Sequence, residues 1–116
     1  ESLNENVFSI DDVIIFQFDE ILDEIKEKKI LVIGNEHPAI TIKDKVRVER
    51  YKCFLKGTWK KKELIAVPSF NPLLEGTDIL KEQLLSPFLE NIGKFEVYAV
   101  GEKEAFYFGK VKDISY

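Results

Sequence analysis

Apolar residues between positions 10 and 28 recur at spacings that fit one face of a helix. At 100° per residue, an arc of about 120° holds the side chains of Ile14, Ile15, Phe18, Ile21, Leu22 and Ile25. Acidic residues dominate the rest of the segment, and Ser9 with Asp12 three positions later resembles a capping box. The pattern predicts an N-terminal amphipathic helix. The competing interpretation is a strand VIIFQF followed by a shorter helix from Asp19, which the β-branched residues favour.

Apolar and alternating runs in the middle of the chain predict strands. The run Ile30–Ile33 is fully apolar and ends at a glycine, and residues 39–42 form a second short candidate. Residues 46–55 alternate with a slip in phase that indicates a bulge, and residues 63–67 return after a turn predicted at 56–58. The middle of the chain therefore predicts a hairpin flanked by shorter strands.

The last third of the chain predicts a helix followed by a hairpin. Thr77 or Asp78 caps a predicted helix that runs to residue 85, and residues 95–100 and 105–111 pair across the turn at 101–104. The complete pattern predicts an α+β fold with a mainly antiparallel sheet of about five strands, the N-terminal amphipathic helix, and the second helix before the C-terminal hairpin. The length predicts one domain over residues 1–116, with residues 1–8 as a loose arm.

Charge divides the chain into segments of opposite sign. Residues 43–62 hold nine Lys or Arg and two acids, although the whole chain has a net charge of −4. Residues 1–27 hold nine acids and one lysine. The basic segment also carries Tyr51, Phe54 and Trp59, so it indicates an anionic partner, and the acidic segment indicates a basic one.

Few residues are equipped for catalysis. His37 is the single histidine and lies in a turn beside Glu36, which makes this pair the weak candidate for a general base. Cys53 is the single cysteine and falls in a predicted strand, where a buried structural thiol is the usual outcome. No phosphate-loop, dinucleotide or zinc-ligand spacing is present, so we expect no cofactor and no metal. Whether the protein is an enzyme stays open, with the balance against it.

The leading functional interpretation is a non-catalytic protein-binding module, such as an inhibitor, immunity or antagonist protein that binds a basic partner. Its contacts would come from Asp19, Asp23 and Glu24 or from the hairpin with Trp59. The alternative is a nucleic-acid-binding domain, whose contacts would be Arg47, Arg50, Lys52, Trp59, Lys60 and Lys61. A second alternative is a small enzyme that uses His37.

The remaining sequence features bear on location and assembly. No apolar stretch approaches twenty residues and no signal-peptide pattern opens the chain, so we expect no membrane partner. A lone cysteine fits a reducing compartment, which favours a cytoplasmic protein. Unpaired edge strands leave a homodimer open as an alternative assembly.

Overall fold

A computed structural model describes residues 2–4, 7–16, 23–34, 36–43, 45–82, 84 and 86–114. The fold is all-β, with no α-helix among these residues. The strands are β1 (Ser2–Asn4), β2 (Val7–Ile10), β3 (Val13–Phe16), β4 (Ile30–Ile33), β5 (Pro38–Lys43), β6 (Val48–Trp59), β7 (Lys62–Ala66), β8 (Thr77–Asp78), β9 (Glu96–Val100) and β10 (Ala105–Lys110). Short 3-10 helices occupy Asp23–Glu27, Pro87–Leu89 and Val111–Asp113.

The strands form an open, mixed sheet. β1, β2 and β3 are an antiparallel meander, whereas β3 pairs in parallel with β4 and β4 in parallel with β7. β7 is antiparallel to the long strand β6, which also pairs with β5 near its start and with β9 further along. β10 closes the C-terminal hairpin against β9, and β8 pairs in parallel with β5.

The predicted α+β fold is wrong, and the N-terminal helix is the main reason. Val13–Phe16 is the strand β3, and Asp23–Glu27 is a 3-10 helix; the predicted residues 17–22 lie outside the described part of the chain. A run of β-branched residues suits an extended backbone, and β3 completes its hydrogen bonds with β2 and β4. The competing interpretation, a strand that begins at Val13, is therefore the correct one for residues 13–16.

The described residues of the second predicted helix, 77–82 and 84, form no helix, and residues 83 and 85 of that prediction lie outside the described part of the chain. Thr77–Asp78 is the short strand β8, and the segment then turns before the 3-10 helix Pro87–Leu89. Asp78 Oδ1 does accept a hydrogen bond from the backbone N–H of Leu80, as a capping residue would, but only a turn follows. Ser86 caps the 3-10 helix by accepting from the N–H of Phe88, and Pro87 begins it.

The strand predictions from Ile30 onward hold better. β4 has the predicted bounds, β5 contains the predicted residues 39–42, and the C-terminal hairpin is present. The predicted turn at 56–58 is wrong, because β6 continues to Trp59 and turns at Lys60 and Lys61. The segment predicted as a loose arm contains β1 and the beginning of β2.

One row of buried side chains crosses the five central strands. Pairing places these residues side by side on the inner face of the sheet: Phe16, Ile33, Ala66, Leu55 and Val97. Each of them is at most 1% exposed. Ile25 and Leu89 from the 3-10 helices join the same hydrophobic core. Burial of this row supplies much of the driving force for folding, since it removes large apolar areas from water.

Aromatic side chains extend the core toward the end of β6. The ring of Phe88 lies 5.3 Å from that of Phe16 and 4.8 Å from that of Trp59, measured between centroids. Phe95 is buried against Gly57, where a Cβ atom would approach the phenyl ring to 2.4 Å. The absence of a side chain at Gly57 therefore lets Phe95 pack on the strand.

We expect Gly57→Ala to destabilise the fold by about 1–3 kcal/mol, because the methyl group would displace the Phe95 ring from a filled core. Gly93→Ala is the matched control, since its nearest atom would be 3.8 Å from the new Cβ. Urea unfolding of both variants measures the difference. Equal stability of the two variants would contradict the proposed packing.

The turn between β6 and β7 places two lysines in a left-handed conformation. Trp59 pairs with Lys62, and Lys60 and Lys61 between them have φ of 47° and 68°. Positive φ at both central residues is the geometry of a type I′ turn, which favours Asn and Gly. Lysine carries a steric penalty there that glycine lacks.

We therefore expect Lys61→Gly to stabilise the protein by about 0.5–1 kcal/mol. This change leaves the ammonium of Lys60 in place above the Trp59 ring, 4.9 Å from its centroid. Lys103→Gly in the turn between β9 and β10 is the control, because Lys103 is not in a positive-φ conformation. Urea midpoints compare the two, and a loss of stability in Lys61→Gly would contradict the expectation.

Candidate functional site

The fold distributes the basic segment 43–62 instead of gathering it on one face. Arg47 pairs with Glu49 at 3.0 Å, and Lys52 donates to the backbone carbonyl of Asn71. Arg50 donates to the carbonyl of Gly76 at 3.2 Å and lies 4.0 Å from the buried carboxylate of Asp78. These three predicted contact residues thus interact with their own chain.

Trp59, Lys60 and Lys61 come together at the end of the central hairpin. Trp59 is half-buried against Phe88, and Lys60 covers its ring. Lys61 is exposed, whereas the neighbouring Lys62 donates to the carbonyls of Lys26 and Lys28. Trp59 therefore contributes to the core as well as to the surface, and Lys62 ties this turn to the end of the first 3-10 helix.

The predicted acidic contact residues do not lie together on a long helix in the described part of the chain. Asp19 lies outside the described residues, and Asp23 and Glu24 belong to the 3-10 helix Asp23–Glu27. For Asp23 and Glu24, the structure replaces the predicted long amphipathic helix with a 3-10 helix that begins at Asp23 and ends at Glu27.

His37 occupies a constrained turn before β5. Its φ is 52°, and its carbonyl accepts a hydrogen bond from the N–H of Thr77. Its Nδ1 is buried with no hydrogen-bond partner among the described residues, and Glu36 is half-buried beside it. The turn thus ties His37 to β8 through the backbone, and among the described residues no hydrogen bond to Nδ1 orients the imidazole as a base.

Cys53 is a structural thiol in the sheet. It is completely buried in β6, and burial raises its pKa to about 12, with the negative charge of Asp78 adding to the effect. The thiolate is the nucleophilic form, so the protonated group is unreactive at neutral pH.

The N-terminal hairpin exposes three large apolar side chains that sequence reasoning missed. Phe8, Ile10 and Ile15 are 44%, 55% and 43% exposed, and we call them the apolar patch. Phe8 and Ile15 are cross-strand partners, and Ile10 shares their face because it lies two residues from Phe8. The turn beyond them carries Asp11 and Asp12, both exposed.

Strand alternation explains why this patch was missed. As a helix, the segment placed Ile14 and Ile15 on one face, which would bury both. As a strand it sends Ile14 into the core and Ile15 to the outer face. The β-branched run Val13–Ile15, which favours a strand, was the signal that could have revealed the patch, because a strand sends alternate residues to opposite faces.

The outer face changes from apolar to charged along one row of paired residues. From the apolar patch the row passes through Val32 and Ile65, both half-buried, and then reaches Lys56, Glu96 and Lys110. The same sheet face therefore presents two surfaces of different chemistry at its two ends.

Comparisons with known proteins assign no family: no family model, no curated protein and no solved structure matches the chain. None of the helices in the described ranges is long and apolar enough to cross a membrane. The described residues contain no group of three or more His, Cys, Asp or Glu side chains placed to hold a metal ion.

The raised pKa of Cys53 predicts a specific loss of stability at high pH. Below pH 9 the thiol is protonated in both states, and above it the unfolded chain loses the proton that the folded chain keeps up to about pH 12. The stability advantage of wild type over Cys53→Ala should therefore shrink by about 1 kcal/mol per pH unit above pH 9. Urea unfolding at pH 8, 9.5 and 10.5 measures it, and a constant difference would contradict the assignment.

Proposed function

We propose that the protein is a non-catalytic protein-binding module whose contact centre is the apolar patch. The observation that carries the proposal is the exposure of Phe8, Ile10 and Ile15 on one face of a hairpin whose opposite face is buried. Apolar side chains that are contiguous and exposed are typical of interaction sites, whereas isolated ones are common on any surface. Aromatic and aliphatic anchors at the centre of a contact supply most of its binding energy.

Charge around the patch favours a basic partner. Asp11 and Asp12 adjoin it directly, and residues 1–27 carry nine acids against one lysine. The exposed carboxylates of Asp11 and Asp12 form an acidic rim at this edge of the patch. This rim would steer a basic protein toward the patch and discriminate against acidic ones. A second copy of this chain would bring the same charge to the contact, so the rim disfavours a homodimer through this face.

An inhibitor, immunity or antagonist protein would use such a surface to cover the basic site of its partner. The described residues favour this role over catalysis, because the Cys53 thiol is protonated and buried and His37 Nδ1 has no hydrogen-bond partner among them. A small enzyme that uses His37 with Glu36 is the weaker alternative. We propose a cytoplasmic location, with which a reduced cysteine agrees.

We expect Ile10→Asp to weaken partner binding at least ten-fold, since it places a charge in the centre of the contact. The wild type, Ile10→Asp and Leu73→Asp serve as baits for capture from the native host. Leu73 is 87% exposed in the loop between β7 and β8, so its variant introduces the same charge outside the patch. Each protein that the wild type enriches is then purified and titrated calorimetrically against all three baits at 50 and 300 mM salt.

Loss of affinity in Ile10→Asp alone, together with weaker binding at high salt, would support the proposal. Equal affinities of Ile10→Asp and wild type would contradict it, as would a partner whose contacting surface is acidic. Thermal unfolding of both variants confirms that the comparison concerns binding and not folding.

A further inference from the structure

A basic cleft lies where β6 extends past the end of β9. β9 pairs with β6 only as far as Lys56, and the segment before β9 crosses beside Gly57 and Thr58. The resulting cleft of about 610 Å³ is lined by four lysines, Lys56, Lys94, Lys110 and Lys112. A second recess of about 310 Å³ shares Lys56, Gly57 and Thr58 with it and adds Lys61 and Lys62. We call the two together the basic cleft.

Positive charge dominates the basic cleft in a protein that is acidic as a whole. Six lysines line it against two glutamates, Glu63 and Glu96, among the described residues. Glu63 lies 3.5 Å from the ammonium of Lys56, and Glu96 is the cross-strand partner of Lys56 and Lys110. No salt bridge joins Lys94, Lys110 or Lys112 to any acid in the described part of the chain. Their charges are therefore available to an anion.

A row of aromatic side chains runs beside the basic cleft on the same face. This aromatic row consists of three cross-strand neighbours: Phe54, Tyr98 and Tyr107. It runs parallel to the row of Lys56, Glu96 and Lys110, two residues away along β6 and β9 and three residues away along β10, where the register shifts. The rings of Tyr98 and Tyr107 lie 5.3 Å apart between centroids, and Tyr107 is 55% exposed. Phe70, 73% exposed, extends the aromatic row from the side of Phe54, with 6.4 Å between the two rings.

The pairing register brings the two rows together without any local sequence signal. Lys56 and Phe54 come from β6, Tyr98 from β9, and Lys110 and Tyr107 from β10. Proteins that bind single-stranded nucleic acid without sequence preference combine two components. One is a positively charged groove that follows the backbone, and the other is a set of aromatic rings on which bases stack. A phosphate chain alone would use the lysines and leave the exposed rings of Tyr107 and Phe70 without a role.

We propose that the basic cleft and the aromatic row together bind single-stranded nucleic acid. The lysines contact the phosphodiester backbone, and unpaired bases stack on Tyr107 and its neighbours. This site takes Phe54, Lys56, Lys61 and Lys62 from the predicted segment 43–62. It leaves out Arg47, Arg50 and Lys52, which interact elsewhere in the chain. It is also independent of the apolar patch, which lies on strands at the other end of the same row.

Fluorescence anisotropy with a labelled oligothymidylate of twelve nucleotides at 50 mM salt tests the proposal. We expect saturable binding that weakens steeply with salt and is at least ten-fold weaker for a duplex of the same length. The double variant Lys94→Glu/Lys110→Glu should lose binding at least ten-fold. Lys45→Glu/Lys103→Glu makes the same change in net charge at exposed lysines outside the cleft and should bind within about two-fold of wild type.

Variants of Tyr107 separate base stacking from simple phosphate binding. Tyr107→Ala should weaken oligothymidylate binding about ten-fold, and Tyr107→Phe should retain it, since only the ring is needed for stacking. Circular dichroism of each variant establishes that the sheet is intact.

Three outcomes would overturn the proposal. The first is absence of saturable binding by the wild type at 50 mM salt. The second is an equal loss in the two charge-reversal variants, which would indicate attraction to net charge alone. The third is full competition by inorganic polyphosphate together with unchanged binding in Tyr107→Ala, which would assign the cleft to a phosphate chain without bases.

Discussion

Pairing of β6 on both of its edges at Leu55 and Lys56 holds the rest of the structure together. At these two residues β7 lies on one side and β9 on the other, so the strand connects the N-terminal half of the sheet to the C-terminal hairpin. Leu55 then stands at the centre of the buried row on the inner face, and Lys56 stands between the apolar and charged parts of the outer face. A slip of one residue would exchange these two side chains and place a charge in the core. The register of β6 is therefore set by the cost of burying Lys56.

The same register gives the outer face its two surfaces. Strands β2, β3, β4 and β7 contribute apolar side chains to the outer row, whereas β6, β9 and β10 contribute Lys56, Glu96 and Lys110. The proposed protein contact and the proposed single-strand site lie at opposite ends of this row. Because they share no residue, the protein could bind two partners of opposite charge, an arrangement that its segmental charge supports.

Prediction from the sequence succeeded where local pattern and final pairing agree. Ile30–Ile33 is too short and too uniformly apolar for a surface helix, and it is the strand β4. The C-terminal hairpin also follows from two alternating runs separated by a short polar turn. The N-terminal helix failed because Ile14, Ile15 and their neighbours satisfy a period of 3.6 as well as a period of 2 over a short window. Partners distant in sequence, above all β4, decide between the two periods.

The site was less predictable than the fold. The charge of segment 43–62 was evident, but its lysines and arginines point to several different contacts, since a twelve-residue strand presents both faces and two edges. No local pattern in the sequence indicates a shared site for Lys94, Lys110 and Lys112. The pairing of β9 with β6 and β10 brings these lysines together with Lys56.

Sequence alone thus determined the segmental charge, the single buried thiol and the strands whose hydrophobic runs are unambiguous. These properties depend on residues close together in the chain. The tertiary structure decided the parallel pairing of β3 with β4, the exposure of Ile15 and the assembly of the basic cleft. Each of these depends on hydrogen bonds and packing between strands that are far apart in sequence, whose energies no local pattern contains.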